Sequence, residues 1–273
     1  MTDTNNLEQF LAQKREKKSL FMAHLIAGFP SIEESEKVAE ALALGRSPAT
    51  GEAKGGADIV ELQIPFSDPM ADGPTIAVAS EEALRNGATV AKSLALIKKV
   101  SSFGKPVVVM SYMNPVFRFG IPKFVATISA AGASGLIVPD CPFDTEEGQE
   151  LLASCKKENI CLIPVVSPGV PEERLREIAK NARGFFYCTS RQGITGATSV
   201  FASDLPDFIK LLRSVSNLPV AVGFGVKSRE DVESIGKIAD IVIAGSVFVS
   251  RIKNAQVGSA AESVEKTLQE LIS

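Results

Sequence analysis

The chain has 273 residues, with 29 Lys+Arg against 32 Asp+Glu, a formal net charge of −3, 45% hydrophobic residues and 22% charged residues. That balance excludes wholesale disorder and a basic surface built to neutralise nucleic-acid phosphates. The only histidine, His24, excludes a His-rich metal site and forces any Ser-His-Asp or Cys-His catalytic set through one residue.

Met1 to Lys18 is polar and charged, without the basic-then-apolar order of a signal peptide, and no stretch holds 18 uninterrupted apolar residues. A soluble, cytoplasmic protein that binds neither membrane nor nucleic acid is expected. Cys141, Cys155, Cys161 and Cys188 show no CxxC spacing. They read as four buried thiols in a reducing compartment, and no metal site is expected.

A helix is expected at Leu7–Arg15. The first strand-like run, Phe21–Ala27, is followed by a helix that Ser31 and Glu34 open as a capping box. Arg46–Gly56, rich in Gly, Ala, Ser and Pro, reads as a mobile surface insertion between that helix and the second run, Ile59–Ile64. Thr89 caps a segment ending near Ser101, before the third run, Pro106–Tyr112. The fourth run, Gly135–Pro139, precedes a helix over Glu147–Lys156, and the fifth, Cys161–Val166, precedes one over Glu172–Ala182 with Pro171 in its first turn. Gly184–Cys188, Pro219–Gly223 and Ile241–Ala244 complete the set, with a last helix over Ala260–Ile272.

Runs such as Val107-Val108-Val109 and Ile241-Val242-Ile243 are apolar on successive residues, as parallel strands covered on both faces are. Eight such units over roughly 250 residues predict an α/β fold, a TIM (β/α)8 barrel with an extra N-terminal helix, forming one domain over 1–273. A doubly wound dinucleotide-binding sheet should show GxGxxG after its first strand. Gly28-Phe29-Pro30 does not match.

In such a barrel the active site forms at the strand C-terminal ends. Glu61 lies inside an apolar strand, where an unpaired carboxylate is costly. It is either a structural carboxylate with a lysine or backbone partner, or a general acid/base. The following loop, Pro65 to Pro74, carries three prolines, a glycine and two aspartates, and is stiff enough to hold Asp68 or Asp72 over the barrel mouth. After the sixth strand, Thr189 to Ala197 has the glycines, Thr and Arg of a lid. The seventh and eighth strands end in Gly223-Phe224-Gly225 and Ala244-Gly245-Ser246. Paired small residues there let backbone N–H groups and a helix N-terminus hold phosphate, without net positive charge.

The segments Glu61–Pro74, Pro139-Asp140-Cys141-Pro142, Ser190–Gly196 and Gly223-Phe224-Gly225 together resemble the tryptophan synthase α subunit family, from about Phe10 to the C-terminus. The resemblance implies retro-aldol cleavage of indole-3-glycerol phosphate to indole and glyceraldehyde 3-phosphate. It implies no cofactor in this chain. It also implies a β-subunit partner that carries pyridoxal phosphate in an αββα complex and receives the indole. It makes Glu61 the acid/base and Asp72 the carboxylate that takes the indole N–H. Tyr187 lies near the acid/base, Thr195 sits on the lid, and Gly196, Gly225, Gly245 and Ser246 form the phosphate site. Tyr112 and Asn114 lie where indole packs and the β subunit is met.

Three positions depart from the family pattern. Gln63 stands for a glycine, His24 for an aromatic residue at the indole pocket, and Ala77 for a polar residue. Glu61 and Gln63, two apart on one strand, face the same way, so Gln63 is expected to fill indole volume or to hydrogen-bond Glu61. His24 is expected to line the pocket. An alternative is a catalytically impaired chain that mainly activates its β partner. A further rival, another phosphate-binding barrel such as an isomerase, leaves the pairing of Glu61 with Asp72 unexplained.

Overall fold

The computed structural model describes residues 5–14, 19–46, 51, 53–189, 205–223 and 225–273. In chain order its elements are α1 (Asn6–Lys14), β1 (Leu20–Ile26), α2 (Ile32–Leu44), β2 (Ile59–Gln63), α3 (Pro74–Arg85), α4 (Val90–Ser101), β3 (Val107–Met110), α5 (Met113–Phe119), α6 (Ile121–Ala130) and β4 (Gly135–Ile137). There follow α7 (Glu146–Lys157), β5 (Cys161–Leu162), β6 (Val165–Val166), α8 (Glu172–Asn181), β7 (Phe186–Cys188), α9 (Leu205–Val215), β8 (Val220–Val222), α10 (Arg229–Gly236), β9 (Ile241–Ala244), α11 (Ser246–Asn254) and α12 (Ala260–Ile272).

All strand pairs are parallel, in the order β5-β4-β3-β2-β1-β9-β8-β7-β6. The two ends of that order are halves of one stretch. Ile163 N donates to Leu136 O beyond β4 at 2.9 Å, and Tyr187 N donates to Pro164 O at 3.0 Å. The sheet therefore closes on itself as an eight-stranded TIM barrel, with the expected fifth strand, 161–166, split in two. Pro164 explains the split, because it brings no N–H to the ladder.

Side chains alternate across each strand, and the core divides accordingly. Phe21, Ala23, Leu25, Val60, Leu62, Val107 and Val109 point outward into the shell under the helices. Leu20, Met22, Ile59, Val108, Phe185, Ile241 and Ile243 fill the barrel interior. Leu7 and Leu11 of α1 join that interior cluster, so the N-terminal helix plugs the floor. Asn5 Nδ2 donates to Ser134 O at 2.9 Å, and Arg183 pairs with Glu8 at 2.6 Å.

Two local expectations change in detail. Ser31 does accept from Glu34 N at 3.2 Å, but the return arm of the capping box is missing: the Glu34 carboxylate pairs with Lys37 at 2.7 Å. Cys155, Cys161 and Cys188 are buried, and desolvation pushes their thiols up to about 12. Cys141, expected to be buried as well, is partly exposed, because it lies in the loop beyond β4 rather than on a strand. Thr89 caps α4 by accepting from Lys92 N at 3.2 Å. Of the 46–56 insertion, positions 47–50 and 52 fall outside the described residues. Its flanks are tied down, with Lys54 N donating to Gly45 O at 3.1 Å and Gln269 Nε2 to Gly55 O at 2.9 Å.

Candidate active site

The inward positions of each strand continue upward from the apolar floor and change character at the mouth. Above Leu20 and Met22 comes His24; above Ile59 come Glu61 and Gln63; above Val108 and Met110 comes Tyr112; above Phe185 comes Tyr187; above Ile241 and Ile243 comes Gly245. Period-two alternation alone thus collects five polar side chains and one glycine at the C-terminal end of the barrel. Glu61 and Gln63 are completely buried and His24 is 6% exposed.

Parallel pairing sets His24 of β1 opposite Glu61 of β2. His24 Nδ1 lies 3.4 Å from Glu61 Oε2. Burial alone would lower the imidazole pKa, but the Glu61 carboxylate and, more weakly, Asp72 outweigh it and hold His24 above its ordinary value. That contact is an ion-pair distance, and neither oxygen of Glu61 has a hydrogen-bond partner among the described residues.

Asp72 reaches the same mouth from the β2–α3 loop. Its backbone N donates to Pro69 O at 3.0 Å, and Ala71 N donates to the Tyr112 hydroxyl at 3.1 Å, so the loop folds back over the strands. Gln63 Nε2 donates to Asp72 Oδ2 at 2.5 Å. Desolvation pushes the Asp72 carboxyl above its ordinary value, against the pull of the Gln63 hydrogen bond, His24 and the Tyr112 hydroxyl. Asp68, the other candidate in this loop, is exposed and accepts from Ser67 Oγ.

Both tyrosines stay protonated at neutral pH. Desolvation, reinforced by Asp72, raises the Tyr112 phenol, and desolvation with Glu61 and Asp72 raises that of Tyr187 well above its ordinary value. Phe66 stacks on Tyr112 with ring centroids 5.4 Å apart. Sequence reasoning assigned Phe66 no role, although its place two residues beyond Ile64 in a proline-flanked turn was a usable signal. Asp140, quoted in a motif without a function, accepts from Met113 N at 2.8 Å and so fixes the start of α5, next to Asn114.

Across the mouth, Gly245 caps α11 and Ser246 begins it. The first-turn N–H groups of a helix have no intrahelical acceptor and point at whatever sits before it. Gly245 is needed for space, since a Cβ there would stand 2.9 Å from His24 Cδ2. Gly225 has φ of +78°, which favours glycine. Ala77 lies within α3, partly buried. Thr195, Gly196 and the rest of the lid segment 190–197, together with Phe224, lie outside the described residues.

The structure therefore brings His24, Glu61, Gln63, Asp72, Tyr112, Tyr187 and Gly245 together. It corrects one expected contact: Gln63 bonds Asp72, and it is His24 that reaches Glu61. The Asp72 loop crosses above Gln63, while strand register puts His24 beside Glu61. Such a site offers one carboxylate free to exchange a proton, a second held by donors, and a helix N-terminus for an anion.

The family model described as tryptophan synthase alpha chain matches residues 10–272. The chain is 40% identical over 258 residues to the tryptophan synthase alpha chain of Shouchella clausii, covering 93% of this chain and 91% of that one. It is 34% identical to a tryptophan synthase of Saccharomyces cerevisiae, covering 97% of this chain but 36% of that protein. A solved structure of Mycobacterium tuberculosis tryptophan synthase superposes with a TM-score of 0.86 at 34% identity, covering 98% of this chain and 97% of that one.

Proposed function

The chain belongs to the tryptophan synthase alpha chain family, and we propose that Glu61 and Asp72 carry its reaction. That reaction is the lyase cleavage of indole-3-glycerol phosphate, to indole and glyceraldehyde 3-phosphate. Breaking the bond at indole C3 needs a proton delivered to that carbon and one removed from the hydroxyl on the adjoining carbon. Glu61, buried and with its oxygens free of fixed donors, relays both. Protonation at C3 places positive charge on the ring nitrogen, and Asp72 stabilises it from the loop above. Tyr112 and Tyr187 wall the ring. Gly225, Gly245 and Ser246, with the lid residues Thr195 and Gly196, hold the phosphate.

The observation that carries this reading is Glu61 itself: a fully buried carboxylate at the barrel mouth, above an apolar floor, whose nearest partner among the described residues is an imidazole rather than a lysine or arginine. The alternative of an impaired activator is not favoured. Both carboxylates are in place: Gln63 donates to Asp72 and the His24 ring lies within ion-pair distance of Glu61, neither displacing its carboxylate. The deciding experiment is indole release from indole-3-glycerol phosphate. Glu61→Gln should lower it by roughly 10²–10⁴-fold while leaving the affinity for glyceraldehyde 3-phosphate unchanged. Retained cleavage would mean the acid/base is another residue.

An alpha chain works with a β subunit. For this chain we infer the αββα arrangement, with pyridoxal phosphate in the partner and no cofactor here, since proton transfer is all this half-reaction requires. In support, Met70 on the β2–α3 loop is 79% exposed and Phe117 on α5 is 59% exposed. Between that loop and α5 lies a groove of about 420 Å³ lined by Phe66, Ser67, Asn114, Arg118 and Phe119. The groove is largely apolar, with Pro65, Leu84, Val90 and Pro115 also in its lining, and an apolar depression of that kind suits a protein partner. Among the described residues no helix is long and apolar enough to cross a membrane. The cytoplasm is the proposed location.

A further inference from the structure

A retro-aldol carboxylate has no chemical need of a histidine, yet the one histidine of this chain stands against it. His24 and Glu61 are register partners on adjacent strands, both buried, with Nδ1 and Oε2 3.4 Å apart. The ring is held there from behind. The Gly245 backbone packs so closely that a Cβ would meet Cδ2 at 2.9 Å and Cγ at 3.2 Å, so the imidazole has no room to retreat from Glu61 on that side. Nε2 is buried and has no hydrogen-bond partner among the described residues. The Nδ1–Glu61 pairing is therefore the contact that orients the ring.

We propose that His24 is a positioning residue for Glu61 and its proton partner, the two side chains holding one proton between Nδ1 and Oε2 and passing it to the substrate through Glu61. This rests on the reading of Glu61 as the acid/base. With the pair singly protonated, Glu61 gives its proton to indole C3. As the carbon–carbon bond breaks, its electron pair returns to the ring, the hydroxyl oxygen becomes the aldehyde oxygen, and the hydroxyl proton passes to Glu61. The pair ends with the one proton it began with.

Two sites that share one proton keep it to a higher pH than either alone. Among the described residues, the titratable groups that face the pair are Asp72 from the β2–α3 loop, Tyr112 just beyond β3 and Tyr187 from β7, while β9 offers only Ile243 and the Gly245 backbone. Both phenols are held neutral by burial and by the carboxylates, so among the described residues Asp72 is the one further charge acting on the imidazole near neutral pH. Above the pH at which His24 gives up its proton, the pair is empty and C3 cannot be protonated. Cleavage should therefore fall on the alkaline side together with the imidazole titration.

A single histidine makes the test direct. In the untagged full chain the imidazole Cε1–H resonance belongs to His24 alone and can be followed by NMR from about pH 5 to 9. Glu61→Gln should lower that titration by about one pH unit or more, because burial then acts with less opposing charge; Asp72→Asn should lower it less. An unchanged titration in Glu61→Gln overturns the pairing. In steady-state kinetics His24→Asn, which keeps a neutral donor but does not titrate, should keep KM within about twofold. Its alkaline limb of kcat should move down by about one pH unit, a roughly tenfold loss of rate on that limb. A profile that superposes on the parent's would reduce His24 to packing and overturn the proposal. Should Glu61→Gln still cleave substrate while the histidine coupling is present, the failure lies in the assignment of Glu61, and the proton-partner role falls with it.

Discussion

The contact between Gly245 and His24 ties the proposed phosphate cradle to the proposed proton pair, and Gly245→Ala tests it. A Cβ at Gly245 would lie 2.9 Å from His24 Cδ2 and 3.2 Å from both Cγ and Cβ. Ordinary carbon–carbon contact is about 3.5–4.0 Å, so something must move by roughly half an ångström. The backbone of Gly245 has φ of −135°, outside the left-handed region, so the penalty comes from the collision with a ring that cannot fold away. Overpacking of that kind costs about 1–3 kcal/mol, which in a chain of this size lowers Tm by roughly 2–10 °C. Affinity for inorganic phosphate should fall as well, because the new methyl displaces the start of α11. Urea denaturation and calorimetric phosphate titration read the two effects. The double variant His24→Ala/Gly245→Ala supplies the control: it removes Cγ and Cδ2 and leaves only the 3.2 Å contact with Cβ. The Gly245→Ala penalty should then shrink, with a coupling energy of about 0.5–3 kcal/mol between neighbours. Strictly additive stabilities would refute the collision as the cause.

Asp72→Asn should lower kcat by about 10²–10³-fold, the loss of a preorganised charge facing the developing cation. It should also raise stability at neutral pH. A carboxyl whose pKa is raised in the folded state stabilises fully below the ordinary carboxyl range, and that contribution is lost as pH rises through the raised value. Urea midpoints of variant and parent should therefore diverge as pH rises, and parallel curves would contradict the desolvation. Leu7→Ala empties the plug at the barrel floor, where Leu7 is fully buried, and should cost about 2–5 kcal/mol with indole release per folded molecule unchanged; urea midpoints and single-turnover rates check both. Met70→Glu and Phe117→Glu should weaken β-subunit association measured by titration calorimetry without changing Tm, because both side chains are largely exposed; unaltered affinity would move the interface elsewhere.

Periodicity made most of the fold legible. Buried parallel strands announce themselves as runs like Val107-Val108-Val109, and their count gives the barrel. The same alternation puts Glu61 and Gln63 on one face, and β2 confirms it. Two kinds of fact escape that reasoning. One is cross-strand register: nothing local to His24 says that it pairs with Glu61 rather than lining a ring pocket, because the pairing exists only once β1 and β2 align. The other is loop path. Gln63 reaches Asp72 because the stretch from Pro65 to Asp72 turns back above its own strand, held by Tyr112 just beyond β3, a long-range contact no short motif encodes. The split of the fifth strand was readable, since Pro164 sits in its middle.

The partners of the two carboxylates differ in kind, and the difference supports the roles proposed for them. Asp72 accepts from Gln63, and the Tyr112 hydroxyl also favours its anion; neither group changes charge at neutral pH. Fixed donors favour the anion and oppose the desolvation that would neutralise it, which suits a group whose task is to stay negative beside a developing cation. Glu61 has no such donors among the described residues; its neighbour His24 can itself take up or release a proton. A carboxylate that must gain and lose a proton in every turnover is hindered by fixed donors and helped by a titratable one. Gln63 and His24, the two positions expected to depart from the family pattern, therefore act in the same direction on the proposed reading. One secures the static charge and the other serves the moving proton, so both substitutions are consistent with a working lyase.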